Sequence, residues 1–164
     1  MRRFALCVLA ALLAAGCRPG PPREPARSAP PMTQVSVRSG DLELKMSVSR
    51  PEIAPGSPLI LTFLLRNVGS ADRIIRSLSP TLFDFAVYAA DGRAIVKPSV
   101  PTKPLLARPA LRVLHPGQAA AASIAWTGTS AVVPGKYFLE GYAVWTGPGA
   151  PLLTTPRLAI QIRR

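Results

Sequence analysis

The residues able to do chemistry are few and scattered. His115 is the single histidine, and the chain has 8 Asp+Glu in all. A lone histidine cannot build a multi-histidine metal site. It sits in "LHPG", just before a turn, and a serine nucleophile would need it oriented by a carboxylate. No Gly-x-Ser-x-Gly occurs, and no zinc, calcium or phosphate-loop signature is present. Asp84 is the odd acid, set between Phe83 and Phe85 in "FDFAVYAADGR". Acid–base work on glycosides or peptides needs a second positioned group, and the sequence neighbours of Asp84 include no second carboxylate. On a strand, Phe83, Phe85 and Val87 share one face and Asp84 shares the other with Ala86 and Tyr88. The expected role of Asp84 is therefore structural: a cross-strand ion pair with Arg76 or Arg93, or a hydrogen bond to a turn amide. The expectation is a protein with no catalytic residue, no metal and no cofactor.

Contact chemistry is concentrated in residues 99–114. Pro101, Pro104 and Pro109 keep that stretch extended, and Lys103, Arg108 and Arg112 make it basic. Structureless loops of this length often carry function. A protease that cuts after basic residues would accept such a segment. Pro104 follows Lys103 and Pro109 follows Arg108, so both bonds would be cut poorly. That suits an inhibitor, and it equally suits a proline-rich spacer. Lys103, Arg108 and Arg112 are the candidate partner-binding residues.

The remaining segments set address and architecture. After Met1-Arg2-Arg3 comes an apolar run of twelve residues, Phe4 to Ala15, too short for a stable membrane span and typical of a secretory signal. It ends "LLAAGC". Small residues before Cys17 resemble a bacterial lipobox, with Ala14 where leucine is preferred and Leu13 one step back. Cysteine arithmetic agrees: Cys7 leaves with the signal, and Cys17 then has no intramolecular partner. A diacylglycerol thioether on Cys17 accounts for it. The alternative is an ordinary cleaved signal that happens to contain a cysteine. The expected layout is a lipoprotein-type signal at 1–16, a proline-rich linker at 17–34 and one domain at 35–164. Six prolines in "CRPGPPREPARSAPPMT" favour polyproline II, a stalk of roughly 50 Å. The expected location is the bacterial cell envelope, anchored in its membrane.

Charge is strongly positive, with 20 Lys+Arg against 8 Asp+Glu and a formal net of +12. Losing Arg2 and Arg3 with the signal leaves 18 against 8, or +10. Export and the scattering of the basic residues argue against nucleic acid as partner. Anionic lipid head groups or an acidic protein partner fit better.

Beyond residue 35 the pattern is one of short alternating segments. "DLELKMSV" places Leu42, Leu44, Met46 and Val48 on one face. "PLILTFLLRN" is apolar on both faces, as in a central strand. "RIIRSL", "TLFDFAVYAA", "RAIVKP", "AAAASIAW", "KYFLEGYAVWTG" and "PRLAIQI" read as further strands, with a short extended piece at 111–114. "AAAASIAW" is ambiguous, because alanine favours helix. Asp91-Gly92 predicts a hairpin turn. Pro-Gly punctuates the chain at Pro55-Gly56, Pro116-Gly117 and Pro134-Gly135. About seven to eight short strands between such turns predict an all-β, immunoglobulin-like antiparallel β-sandwich. Trp126, Trp145, Tyr137 and Tyr142 are expected in its core or at a corner, with Tyr137 placed like a tyrosine corner.

The order of these pieces resembles the BsuPI family, the intracellular proteinase inhibitor domain. The matching residues are Asn67 and Gly69, then Phe83-Asp84-Phe85, Asp91-Gly92, Pro116-Gly117, Trp126, and Pro134-Gly135 with Tyr137. The resemblance covers about residues 42–144. It implies an immunoglobulin-like sandwich and a binding module resembling a proteinase inhibitor, with a protease as the implied partner. The export signal and the proline-rich stretch at 99–114 depart from the family pattern. A structural or assembly lipoprotein of the envelope is the alternative.

Overall fold

In β2 (Leu42–Val48), Leu42, Leu44, Met46 and Val48 all point inward and are 8% exposed or less. β4 (Leu59–Asn67) does the same with Leu59, Leu61, Phe63 and Leu65, each fully buried. Burying one such side chain contributes about 1.5–3 kcal/mol, so the alternation largely decides which way each strand faces. The outer face of β4 stays partly wet, at Ile60, Thr62 and Leu64.

The computed structural model describes residues 33–77, 81–98, 110–147 and 150–163. Among these, β1 (Thr33–Ser39), β2, β4 and β9 (Ala119–Trp126) form a four-stranded antiparallel sheet in that order. A second sheet runs β3 (Glu52–Ile53), β12 (Leu158–Ile162), β10 (Gly135–Gly147), β6 (Phe83–Ala89) and β7 (Ala94–Val96), with β11 (Ala150–Thr154) also on β10. β5 (Arg73–Ser77) and β8 (Ala110–Leu114) pair, among the described residues, only with each other, as a two-stranded antiparallel ribbon. The protein is an all-β antiparallel sandwich. One pair, β3 with β12, is parallel.

The two sheets meet through Phe63 of β4 and Phe83 of β6, whose rings stack at 5.5 Å and 16°. Between them, Gly141 of β10 approaches so closely that a Cβ there would lie 2.8 Å from both Met46 Sδ and Phe63 Cε1. Gly141 is also where β10 changes partner. Residues 135–139 pair with β12, and residues from Tyr142 onward pair with β11. Thr155 bridges the junction: its Oγ1 accepts from Gly141 N–H at 2.9 Å, and its own N–H donates to Gly141 O at 2.9 Å.

β8 matches the extended piece expected at 111–114, and the alanine-rich segment is strand β9. β1, β3 and β11 are not among the strands expected from the sequence, although Val35 and Val37 of β1 alternate with polar residues. β1 starts at Thr33, two residues inside the stretch assigned to the linker. Of the three Pro-Gly glycines, Gly56 and Gly117 have positive φ, at 81° and 77°. Gly135 does not, because it is already the first residue of β10. Tyr137 forms the corner its position predicted, its hydroxyl donating to Val133 O at 2.5 Å.

Candidate partner-binding surface

The surface is organised by Asn67, which is fully buried at the end of β4. Its side-chain amide donates to Ala71 O and Leu114 O, both at 2.8 Å. Its Oδ1 accepts from Gly69 N–H at 3.0 Å. Burial of a primary amide is tolerated because every one of these groups finds a partner. Asn67 thus fastens the 67–71 turn to the far end of β8. Gly69 is required by a close approach: a Cβ there would sit 2.5 Å from Asp41 Cγ. Asp41 in turn pairs with Arg73.

The consequence is a ribbon, β5–β8, held at one end and pinned to the core by Ile75 and Leu114, which are 4% and 2% exposed. Its other face is open. Ile74 is 62%, Leu111 66% and Val113 45% exposed, and Ile74 and Val113 are register partners. Arg76 shares that face and is exposed, whereas Arg112, the register partner of Ile75, is exposed on the opposite face. An exposed apolar strip beside a cation is a candidate contact surface. A cleft of about 410 Å³ lies along one side of the ribbon, lined by residues 39–42 and 73–76 with Leu152. Of the three basic residues chosen from sequence, Arg112 lies on β8 but on the ribbon's other face, bordering a different groove. Lys103 and Arg108 lie outside the described residues, as does Cys17. Ile74, Leu111 and Val113 were not singled out from sequence, because alternation marks a strand's two faces without saying which one the fold covers.

The other candidates make local contacts. His115 Nδ1 lies 2.9 Å from Asp72 Oδ1, with both side chains more than half exposed. His115 also opens the turn closed by Gln118 N–H to its carbonyl. Asp84 accepts from Phe85 N–H at 2.8 Å. Arg93, one partner expected for Asp84, instead has its Nε 3.8 Å from Asp91. Asp91 Oδ1 accepts from Arg93 N–H at 2.9 Å, and Gly92 takes φ 86° in the hairpin turn. Trp126 is 5% exposed, and the chain at Gly128 passes close to its indole nitrogen. The side chain of Trp145 lies outside the described ones.

On the outer face of the second sheet, Tyr88 and Tyr142 share a hydroxyl hydrogen bond at 3.2 Å. The Arg157 guanidinium lies 4.1 Å above the Tyr88 ring, and its Nε is 3.6 Å from Glu140. Burial pushes the Tyr142 phenol well above its ordinary range, and the hydrogen bond with Tyr88 and the nearby Glu140 charge push it further. No set of three metal-ligating side chains gathers among the described residues.

Neither a family model nor a curated protein matches the chain. Solved structures give partial likenesses. A β-glucosidase from Listeria innocua is 12% identical with TM-score 0.46, covering 75% of this chain and 16% of its own. A cycloisomaltooligosaccharide glucanotransferase from Paenibacillus sp. is 15% identical with TM-score 0.45, covering 72% and 13%. The sporulation control protein Spo0M from Bacillus subtilis is 13% identical with TM-score 0.48, covering 77% and 51%. The chain thus spans about half of Spo0M and a much smaller share of the two carbohydrate enzymes. None of these likenesses bears on what this chain does.

Proposed function

We propose that the chain is an exported, non-catalytic binding module, anchored to the cell envelope by lipid on Cys17 and similar to the BsuPI inhibitor domains. The observation that carries this reading is the ribbon face of Ile74, Leu111 and Val113, exposed beside Arg76. It directly follows the basic, proline-rich stretch bearing Lys103 and Arg108. A protease that prefers basic residues would engage that stretch, with the ribbon supplying apolar contact area. The exposed His115–Asp72 pair supports a surface role over a catalytic one.

Two measurements test the proposal. The chain should suppress a trypsin-like protease at stoichiometric concentration, and the Lys103→Ala, Arg108→Ala double variant should lose that effect. Cys17→Ala should move the protein from the membrane to the soluble fraction and abolish labelling by radioactive fatty acid. If no protease in a panel is suppressed, inhibition is wrong. The apolar ribbon face then favours the second reading, an envelope assembly lipoprotein that docks a protein partner through it. Cross-linking from Leu111 in intact envelopes would capture that partner.

A further inference from the structure

Among the described residues, strand β9 is an edge of the four-stranded sheet. It pairs with β4 along its whole length and with no other strand among the described residues. Natural edge strands are usually blunted by charges, proline, bulges or a covering element. Residues 119–126, "AAAASIAW", contain no charge and no proline. Alanine is a poor strand former, so packing preference does not explain four of them in a row. Their small side chains leave the backbone accessible, and Ala119, Ala121, Ser123 and Ala125 are all exposed.

The phase of the ladder shows which backbone groups are on offer. Asn67 N–H donates to Gln118 O at 2.9 Å, and Gly117 N–H donates to Asn67 O at 2.9 Å. Gly117 has φ 77°, the geometry of a glycine bulge. In an antiparallel ladder, hydrogen-bonded pairs alternate with pairs whose groups point away. Counting from Gln118, the even residues bond to β4. The N–H and C=O groups of Ala119, Ala121, Ser123 and Ala125 therefore point off the edge.

Beside this edge runs a groove of about 370 Å³, bordered by Leu82, Phe83, Arg112, Ala121, Ala122 and Ile124. Ala122 shows that the sandwich opens here. It falls on the core-facing phase of β9, with Ala120 and Trp126 buried, yet it is exposed. Arg112 is the ionisable side chain in the groove wall, on a chain of net charge +12. The chain's own proline-rich stretch is a poor occupant, because Pro101, Pro104 and Pro109 lack the N–H groups a ladder needs.

We propose that the β9 edge and this groove bind an extended acidic peptide by strand addition. The peptide's backbone would pair with residues 119–125, an apolar side chain would enter the groove, and a carboxylate would meet Arg112. Main-chain bonds would supply affinity and the groove would supply selectivity. This groove lies on the ribbon side opposite Ile74, Leu111 and Val113, and neither proposal stands on the other.

The test uses the full chain in detergent and fluorescence anisotropy. The probe is a labelled octapeptide alternating valine with threonine and ending in two glutamates; its twin ends in two lysines. The glutamate probe should bind about fivefold more tightly than the lysine twin, a preference that Arg112→Glu reduces or reverses. Ala121→Pro should abolish binding while keeping the β4 ladder, since the N–H it removes points outward. A probe N-methylated at alternate residues should fail against the unchanged protein, which covers the case that Ala121→Pro misfolds. The Lys103→Ala, Arg108→Ala variant should bind the probe normally. The proposal is overturned by equal binding of the N-methylated probe or by no binding at millimolar concentration. It is also overturned by a concentration-dependent dimer that Ala121→Pro dissolves, which would make a second copy the occupant.

Discussion

The buried amide of Asn67 donates to the carbonyl of Leu114 at 2.8 Å, across 47 residues of chain. That bond ties the end of β4 to the end of β8 and fixes where the exposed ribbon sits. Asn67→Ala leaves the carbonyls of Ala71 and Leu114 and the N–H of Gly69 without their side-chain partner. The expected loss is about 3 kcal/mol, read as a lower urea midpoint. A loss under about 1 kcal/mol would show that water replaces the amide.

Gly141 has the opposite problem, space rather than polarity. Gly141→Ala places a methyl against Met46 and Phe63, both fully buried. Overpacking should cost about 2 kcal/mol. Adding Met46→Val should recover part of that cost, because the two sites share one volume. Strict additivity in thermal melts would contradict the packing described here.

Tyr142 sets an alkaline limit. Its phenol is held above the ordinary value by burial first, then by Tyr88 and Glu140. The folded state therefore keeps a proton that the unfolded chain begins to lose near pH 10. Below that value the contribution is fully present; above it, stability falls by up to about 1.4 kcal/mol per pH unit. Tyr142→Phe should remove this part of the slope. The check is denaturation of both proteins between pH 8 and pH 11, and parallel profiles would refute it.

His115 and Asp72 meet in the open. His115→Ala should change stability by no more than about 0.5 kcal/mol. It should also leave protease suppression or partner capture as it was. Loss of either activity would give the pair a role beyond the turn it occupies.

Much of the architecture is legible along the chain. Burial on β2 follows its alternation except at Ser47, which is also buried, and Asp91-Gly92 and Tyr137 occupy the turn and corner their types suit. These features are local: a period of two, a residue that tolerates positive φ, a tyrosine just after a turn. What tertiary structure alone decided is pairing. The sequence carries nothing local to say that β3 joins β12 in parallel, that β10 changes partner at Gly141, or that Asn67 reaches Leu114. Nor does it say that Ile74, Leu111 and Val113 stay uncovered while Leu61 and Phe63, of similar hydrophobicity, are sealed in. Whether an apolar face is core or contact surface depends on what packs over it, and that is fixed only when distant segments close on one another.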